Sequence, residues 1–124
     1  MPYGRFFEEF SAGEVIQHWP GRTITETDNT WFSLLTMNQS PLHVDTNFNE
    51  KHTQWGKPIV VGLLVMSIAV GQSVGDISGY AVANLEYEIV NHDGPTFAGD
   101  TIYSESTILE TRLTSSGETG IVYL

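Results

Sequence analysis

Residues 59–74 read IVVGLLVMSIAVGQSV, and this run is apolar almost all the way round, with no charged side chain. A helix without a polar face belongs inside a protein, because no side of it favours water. The run is too short for the about 20 residues that span a bilayer. We therefore predict a buried central helix at about residues 59–75. A curved sheet is the simplest layer that can wrap such a helix in a small domain.

The residues after this run supply the sheet. Residues 81–90 alternate between two faces with period two, which predicts a long strand. Residues 101–113 are rich in Thr, Ile and Tyr and predict a second long strand, and a third begins at Thr119 after a turn. The fold class is therefore α+β, with a curved antiparallel sheet around the helix. Because the third strand breaks off at Leu124, we expect the domain to lack its last strand or two.

Two short helices are predicted before the apolar run. Thr25 can cap the first of them, and Asp28 three residues later lies near the positive end of its dipole. That helix should stop before Pro41, because residues preceding proline avoid the helical region. The second runs through residues 47–54, with Asp45 or the next residue as its cap.

Length and composition bound the function. The 124 residues fit one domain, 1–124, and 40% apolar with 16% charged residues favour a packed globule. The absence of cysteine excludes disulfides and thiol nucleophiles. Fifteen acidic residues against five basic ones give a net charge of −10, which makes nucleic acids and anionic membranes poor partners. The four histidines lack paired-ligand spacing, so we expect no metal site.

The amino terminus carries no targeting signal. Residues 1–10 include Arg5, Glu8 and Glu9 and contain no apolar segment of the kind that secretory signals need. We therefore expect a cytoplasmic protein without a membrane anchor.

A polar connector precedes the apolar run. Residues 32–45 read FSLLTMNQSPLHVD and place Asn38, Ser40, His43 and Asp45 within a few positions of one another. Concentrated polarity beside the most apolar segment is typical of a small-molecule pocket. Taken by itself, His43 is a single histidine in a connector, for which a structural role is the commoner outcome.

This connector resembles the hydratase motif of the MaoC-like, (R)-specific enoyl-CoA hydratase family. The motif is approximately Phe/Tyr-x-x-Leu-Ser/Thr-Gly-Asp-x-Asn-Pro-Leu-His-x-Asp. Seven positions fall in register: Phe32, Leu35, Thr36, Pro41, Leu42, His43 and Asp45. Residues 56–63 (GKPIVVGL) and 97–101 (FAGDT) resemble the family's entry to the central helix and its Gly-Asp-Thr turn. The resemblance covers nearly the whole chain and implies a hot-dog fold.

The same resemblance implies the activity. Members add or remove water across the 2,3 double bond of an enoyl-CoA thioester, which is the substrate, and no cofactor is expected. Residues 20–26 and 31–38 resemble a branch that includes hydratases of branched five-carbon dicarboxylyl thioesters, such as mesaconyl- and itaconyl-CoA. An Asp/His pair transfers both protons in the family. Here Asn38 replaces the Asp and cannot ionise, so His43 would be the sole acid–base group and Asn38 would hold the water.

Further site residues follow from position. Gly62 opens the central helix, where a free amide and the helix dipole can stabilise the thioester oxyanion. Ser40 stands at the family's usual Asn and Val61 at a frequent His, so we expect both to contact substrate. A distal carboxylate needs a cation, and Arg22 is the best candidate for a bidentate grip.

Two other functions stay open. A hot-dog thioesterase usually needs an acidic residue at the start of the central helix, and residues 58–70 contain none. A catalytically silent acyl-binding subunit is the other, indicated by Asn38.

The oligomeric state is the last expectation. Hot-dog subunits pair with their sites at the interface, and a long strand with an unpaired edge needs another chain or element to cover that edge. We therefore expect a homodimer or a higher oligomer of dimers.

Overall fold

The computed structural model describes residues 3–124, and its helices and strands are short. A 3₁₀ turn at Phe7–Glu9 comes first, and a π-helical turn at Val74–Ser78 continues the last helix. The helices are α1 (Glu26–Leu35), α2 (Pro41–Val44), α3 (Thr46–His52) and α4 (Gly62–Ser73). The strands are β1 (Val15–Gln17), β2 (Arg22–Thr23), β3 (Thr101–Ile102), β4 (Glu105–Thr107), β5 (Glu110–Leu113) and β6 (Gly120–Tyr123).

Arg22–Ile68 and Glu88–Ile102 form one compact unit, here the helical unit. It contains α1, α2, α3 and the first half of α4. Strands β2 and β3 pair antiparallel in it, with Arg22 opposite Ile102. Its core consists of four buried apolar residues, Ile24, Val60, Val61 and Leu64. The core therefore lies where the start of α4 meets the residues around α1.

The second compact unit, here the strand unit, contains the residues up to Gly21 together with Ala69–Tyr87 and Tyr103–Leu124. Strand β1 pairs antiparallel with β4, and β5 forms a hairpin with β6 in which Leu113 lies opposite Gly120. The hairpin confirms the turn predicted before Thr119. The core of this unit consists of Ile16, Ile77 and Ile108.

The start of α1 confirms the predicted cap. The Thr25 hydroxyl accepts a hydrogen bond from the Asp28 amide at 3.2 Å, and the Asp28 carboxylate accepts one from the Thr25 amide at 2.8 Å. Two of the amides that a helix leaves free at its start are thereby satisfied. Asp45 caps α3 in the predicted way, through the Phe48 amide at 2.8 Å.

The central helix begins three residues later than predicted, at Gly62. The amides of residues 59–61 are bound to acceptors outside the helix, namely Leu42 O, Thr96 O and Asn29 Oδ1. These bonds hold the three residues outside the helix. Within the chain α4 is buried on one side only: Leu64 is buried, whereas Leu63 is 53% exposed.

The prediction of a long strand at residues 81–90 is wrong, because the structure forms no strand there. All ten residues are exposed, Val82 reaches 99%, and none belongs to a strand. A period-two pattern makes a strand only when a neighbouring backbone supplies hydrogen-bond partners. Within residues 3–124 no strand pairs with this segment.

The predicted strand at residues 101–113 is divided into β3, β4 and β5. These three pieces pair in succession with β2, β1 and β6. The sheet pairings are antiparallel throughout, as predicted, but they come as three two-stranded sheets.

No helix within residues 3–124 has both the length and the apolar character needed to cross a membrane.

Candidate active site

A pocket of about 400 Å³ lies within the helical unit. It brings together two of the predicted site residues, His43 and Gly62. The other lining residues are Trp55, Ile59, Val60, Val65 and the loop Asn91, His92, Asp93, Gly94, Pro95 and Thr96. Apolar residues from the start of α4 and polar residues from one loop therefore face the same space.

His43 lies on α2 and is held by the residue that leads into α4. Its Nδ1 atom lies 2.9 Å from the carbonyl oxygen of Ile59. A carbonyl oxygen can only accept, so Nδ1 carries the proton in the neutral imidazole. The lone pair is then on Nε2. This tautomer suits a group that takes a proton from a water molecule.

Asn29 fixes the surroundings of His43. This side chain is 5% exposed on α1, and its Nδ2 donates to the carbonyls of His43 at 3.1 Å and Ile59 at 3.2 Å. Its Oδ1 accepts from the Val61 amide at 3.0 Å. One buried amide thus satisfies three backbone groups, two of which belong to residues that line the pocket. Sequence reasoning missed Asn29, although an amide on the inner side of an amphipathic helix is a usable signal.

Asn49 plays the same part for the helix that carries His43. It is fully buried on α3, and its Nδ2 lies 3.0 Å from Pro41 O and 2.7 Å from Asp45 O. Those carbonyls lie at the start of α2 and directly after it. Sequence reasoning missed this residue as well, because its acceptors follow only from the connector's fold.

Gly62 is the first residue of α4, where the first amides have no acceptor in a preceding turn. A Cβ atom at this position would lie 2.7 Å from Cε1 of His92. Any larger residue would therefore displace the His92 ring. The need for glycine here comes from close packing against a loop that also lines the pocket.

Four of the predicted site residues are not among those that line the pocket. Asn38 Oδ1 accepts from the Ser40 amide at 3.0 Å, and Ser40 is the residue before α2. Val61 is buried in the core of the helical unit. Arg22 binds the Asp28 carboxylate with both terminal nitrogens, at 2.8 and 3.0 Å.

The Arg22–Asp28 pair governs the electrostatics at the start of α1. Hydrogen bonds from the Arg22 guanidinium and the Thr25 amide hold the pKa of Asp28 below its ordinary range, at about 2. The guanidinium that was predicted to bind a distal carboxylate is thus already paired with a carboxylate of the chain.

His92 and Asp93 are pocket residues that sequence reasoning treated only as part of a turn. Both are exposed on the loop after residues 81–90. Within residues 3–124, no group of three His, Asp or Glu side chains is arranged to hold a metal ion.

A family model described as "MaoC like domain" matches residues 8–123. The chain belongs to this family. The MaoC-like resemblance found in the sequence is confirmed, and the match covers nearly all of the chain as one stretch.

Two curated relatives and one solved structure are similar to this MaoC-like chain over almost its whole length. Beta-methylmalyl-CoA dehydratase from Chloroflexus aurantiacus is 36% identical over 121 residues, which cover 98% of this chain and 34% of the relative. Mesaconyl-CoA hydratase from Cereibacter sphaeroides is 33% identical over 123 residues, which cover 98% of this chain and 35% of the relative. The chain thus spans about a third of the length of these curated relatives.

The solved structure is that of a monoamine oxidase regulatory protein from Archaeoglobus fulgidus. It is 35% identical, with a TM-score of 0.81 over 96% of this chain and 79% of the other. The predicted hot-dog fold of the MaoC-like chain is confirmed by its structural neighbours.

Proposed function

We propose that this MaoC-like chain is an enoyl-CoA hydratase or dehydratase, a lyase that adds or removes water across the 2,3 double bond of a thioester. One observation carries the proposal: His43, with Nδ1 bound to Ile59 O, lines the same pocket as Gly62 at the start of α4. A proton acceptor and a helix amino terminus are the two parts that this reaction needs. Membership of the MaoC-like family supports it.

In the hydration direction, His43 Nε2 takes a proton from water while the water oxygen bonds to C3 of the enoyl group. The C2–C3 π electrons move toward the thioester, whose oxygen gains negative charge. The Gly62 N–H donates a hydrogen bond to that oxygen. The protonated imidazole then returns its proton to C2, so that one water has been added and His43 is neutral again. Dehydration is the same sequence reversed.

Asn38 remains the predicted holder of the attacking water. Its Oδ1 already accepts from the Ser40 amide, so the Nδ2 donors are what it can offer. Ser40 and Val61 remain predicted substrate contacts at the edges of α2 and α4. For both, the argument is the family position and the nearness in sequence to pocket residues.

A branched five-carbon dicarboxylyl thioester is the substrate that we propose within this class. Two relatives with 33% and 36% identity carry the names of a mesaconyl-CoA hydratase and a beta-methylmalyl-CoA dehydratase. Arg22 would have to exchange Asp28 for the distal carboxylate of such a substrate. Unbranched enoyl thioesters such as crotonyl-CoA have no distal carboxylate and therefore need no such exchange. A comparison of turnover between the two substrate classes therefore tests this role of Arg22.

A hot-dog thioesterase is the second candidate, and one observation favours it. Asp93 lines the pocket, so a carboxylate is present although the first turn of α4 has none. A carboxylate could activate water for attack on the thioester carbonyl. The product would then be free CoA thiol instead of a hydroxyacyl thioester.

We also propose that the chain works as a homodimer. All residues of 81–90 are exposed, and several are large and apolar: Val82, Leu85, Tyr87, Ile89 and Val90. An exposed edge with alternating apolar residues is a template for pairing with another chain. A second copy that presents the same segment would supply the strand partner that residues 81–90 lack within residues 3–124.

The proposed function is tested by incubating the chain with crotonyl-, mesaconyl- and itaconyl-CoA. Loss of the enoyl absorbance is followed beside release of free thiol. A hydratase removes the absorbance without releasing thiol, whereas a thioesterase releases thiol in proportion to substrate consumed. No change in either signal, with acyl-CoA still bound, would indicate a silent acyl-binding subunit and contradict the proposal.

A further inference from the structure

The pocket contains a second imidazole that the mechanism above does not use. His92 lines the pocket beside Gly62. Its Cε1, Nδ1 and Nε2 atoms lie 2.7, 2.8 and 2.9 Å from the point where a Cβ of residue 62 would be. The face of the imidazole, over its Nδ1–Cε1–Nε2 side, therefore packs against the first residue of α4. This is also the residue whose amide is proposed to bind the thioester oxygen.

The loop that carries His92 is anchored at the pocket. Thr96 O accepts a hydrogen bond from the Val60 amide at 2.8 Å, and the Gly99 amide donates to Ile24 O at 2.7 Å. Both partners belong to the core of the helical unit. His92 thus lies in a loop held next to the start of α4.

The two ring nitrogens of His92 are free to bind a ligand. Within the part of the chain that the structure describes, neither nitrogen has a hydrogen-bond partner. The ring is exposed, so a ligand can reach it. A neutral or protonated imidazole offers at least one N–H donor.

We propose that His92 is a catalytic residue that binds the thioester oxygen together with the Gly62 amide. This inference rests on the proposed hydratase function. As water adds to C3, negative charge develops on that oxygen, and two donors converging on it stabilise the enolate better than one. His43 moves the protons, and His92 returns to its starting state because it only donates a hydrogen bond.

The test compares two substitutions that separate the ring from its donor. His92→Phe keeps a planar ring next to Gly62 but removes the N–H, whereas His92→Gln keeps an N–H donor. We expect kcat to fall about 100-fold in H92F with KM nearly unchanged, because the lost bond acts mainly in the transition state. The kcat of H92Q should be at least about tenfold higher than that of H92F, because the glutamine keeps an N–H donor. The matched control is His52→Phe, since His52 lies against Phe48, with the ring centroids 5.1 Å apart, and does not line the pocket.

A wild-type kcat in H92F would overturn the inference, and so would an equal loss of kcat in H92F and H92Q. Wild-type turnover of crotonyl-CoA decides the proposed function separately. A second readout does not depend on turnover: butyryl-CoA, a saturated thioester, should shift the His92 Cε1–H resonance in the NMR spectrum and leave that of His52 in place. Absence of that shift would overturn the His92 contact even in an active enzyme. The shift in an inactive chain would uphold the contact while the hydratase function fails.

Discussion

The Nδ1 atom of His43 lies 2.9 Å from the carbonyl oxygen of Ile59, three residues before the central helix begins. This single bond fixes the imidazole tautomer and ties α2 to the entry of α4. The proton-accepting nitrogen and the free amide of Gly62 are therefore positioned by adjacent pieces of backbone. The geometry of the site depends on how residues 59–61 are held, and Asn29 contributes two of the hydrogen bonds that hold them.

Substitution of Asn29 by alanine should destabilise the chain strongly. The change leaves the Val61 amide and the His43 carbonyl without these partners and removes one of the two side-chain hydrogen bonds that the Ile59 carbonyl accepts. Loss of buried hydrogen bonds of this kind costs about 2–3 kcal/mol in the free energy of unfolding. Urea denaturation followed by circular dichroism measures the change. The control is Asn47→Ala, at an exposed position of α3, which should change stability by less than about 0.5 kcal/mol. Equal effects at the two positions would contradict the role of Asn29.

Substitution of Gly62 by alanine should lower activity without unfolding the chain. The new Cβ would lie within 3 Å of three atoms of the His92 ring, so that the ring must shift. We expect kcat to fall at least about tenfold, while the melting temperature stays within a few degrees. Gly71→Ala in the same helix is the control, because its Cβ meets no atom within 4 Å. That variant should gain up to about 1 kcal/mol of stability and keep its activity. A fully active G62A would show that the His92 position has no influence on turnover.

The cap of α1 should give a measurable dependence of stability on pH. The pKa of Asp28 is lowered to about 2, first by the Arg22 hydrogen bond and then by the Thr25 amide. A carboxyl with a depressed pKa stabilises the fold above its unfolded value of about 4, and this contribution is lost as pH falls from 4 toward 2. Asp28→Asn should therefore be about 1 kcal/mol less stable than wild type at pH 7, and the difference should shrink below pH 4.

Urea denaturation at pH 7, 4 and 2.5 measures this difference. Glu26→Gln, at an exposed position in the same first turn, serves as the control and should show a difference of only a few tenths of a kcal/mol. A D28N difference that stays constant down to pH 2.5 would mean that the carboxylate does not stabilise the cap.

The strand unit contains a Ser–His–Asp arrangement that we expect to be structural. His18 Nδ1 lies 2.8 Å from Asp76 Oδ2, and His18 Nε2 lies 2.8 Å from Ser106 Oγ. Ser106 is only 8% exposed and His18 4%, so that a substrate cannot reach the hydroxyl. Ser106→Ala should cost about 1–3 kcal/mol of stability and leave hydratase turnover per folded molecule unchanged. Covalent labelling of Ser106 by a fluorophosphonate would contradict this interpretation.

The proposed dimer makes a prediction about mass. Wild type should run in size-exclusion chromatography with light scattering at twice the 13.7 kDa of the chain. Leu85→Lys, in the exposed segment 81–90, should shift the protein toward the monomer. Leu35→Lys is the control, because Leu35 is 79% exposed at the end of α1 and outside that segment. A monomeric wild type would contradict the dimer.

Local chemistry made some elements predictable. Thr25 and Asp28 lie three residues apart, so the cap they form depends on nothing outside the helix start, and the sequence predicts it correctly. The hairpin before Thr119 is likewise local. The start of α4 is not local, because the amides of residues 59–61 are bound by acceptors up to 36 residues away, as for Val60 and Thr96. Hydrophobic pattern alone therefore placed the start of the helix too early.

The candidate site was predictable in part for the same reason. His43 and Gly62 are close in sequence to the apolar run, and both line the pocket. His92 reaches Gly62 across 30 positions of sequence, and only the fold brings them together. Arg22 was predicted as a free cation, but Asp28, six residues later, binds it. Residues 81–90 carry a clear strand pattern, but no strand within residues 3–124 pairs with them.

The role of His43 is tested by the rate of crotonyl- and mesaconyl-CoA hydration in wild type and His43→Ala, with His52→Ala as the exposed-histidine control. Wild type and H52A should consume the enoyl absorbance at the same rate without release of thiol. H43A should be at least about 100-fold slower while it remains folded and still binds butyryl-CoA. Wild-type turnover in a folded H43A would contradict the assignment of His43 as the group that moves the protons.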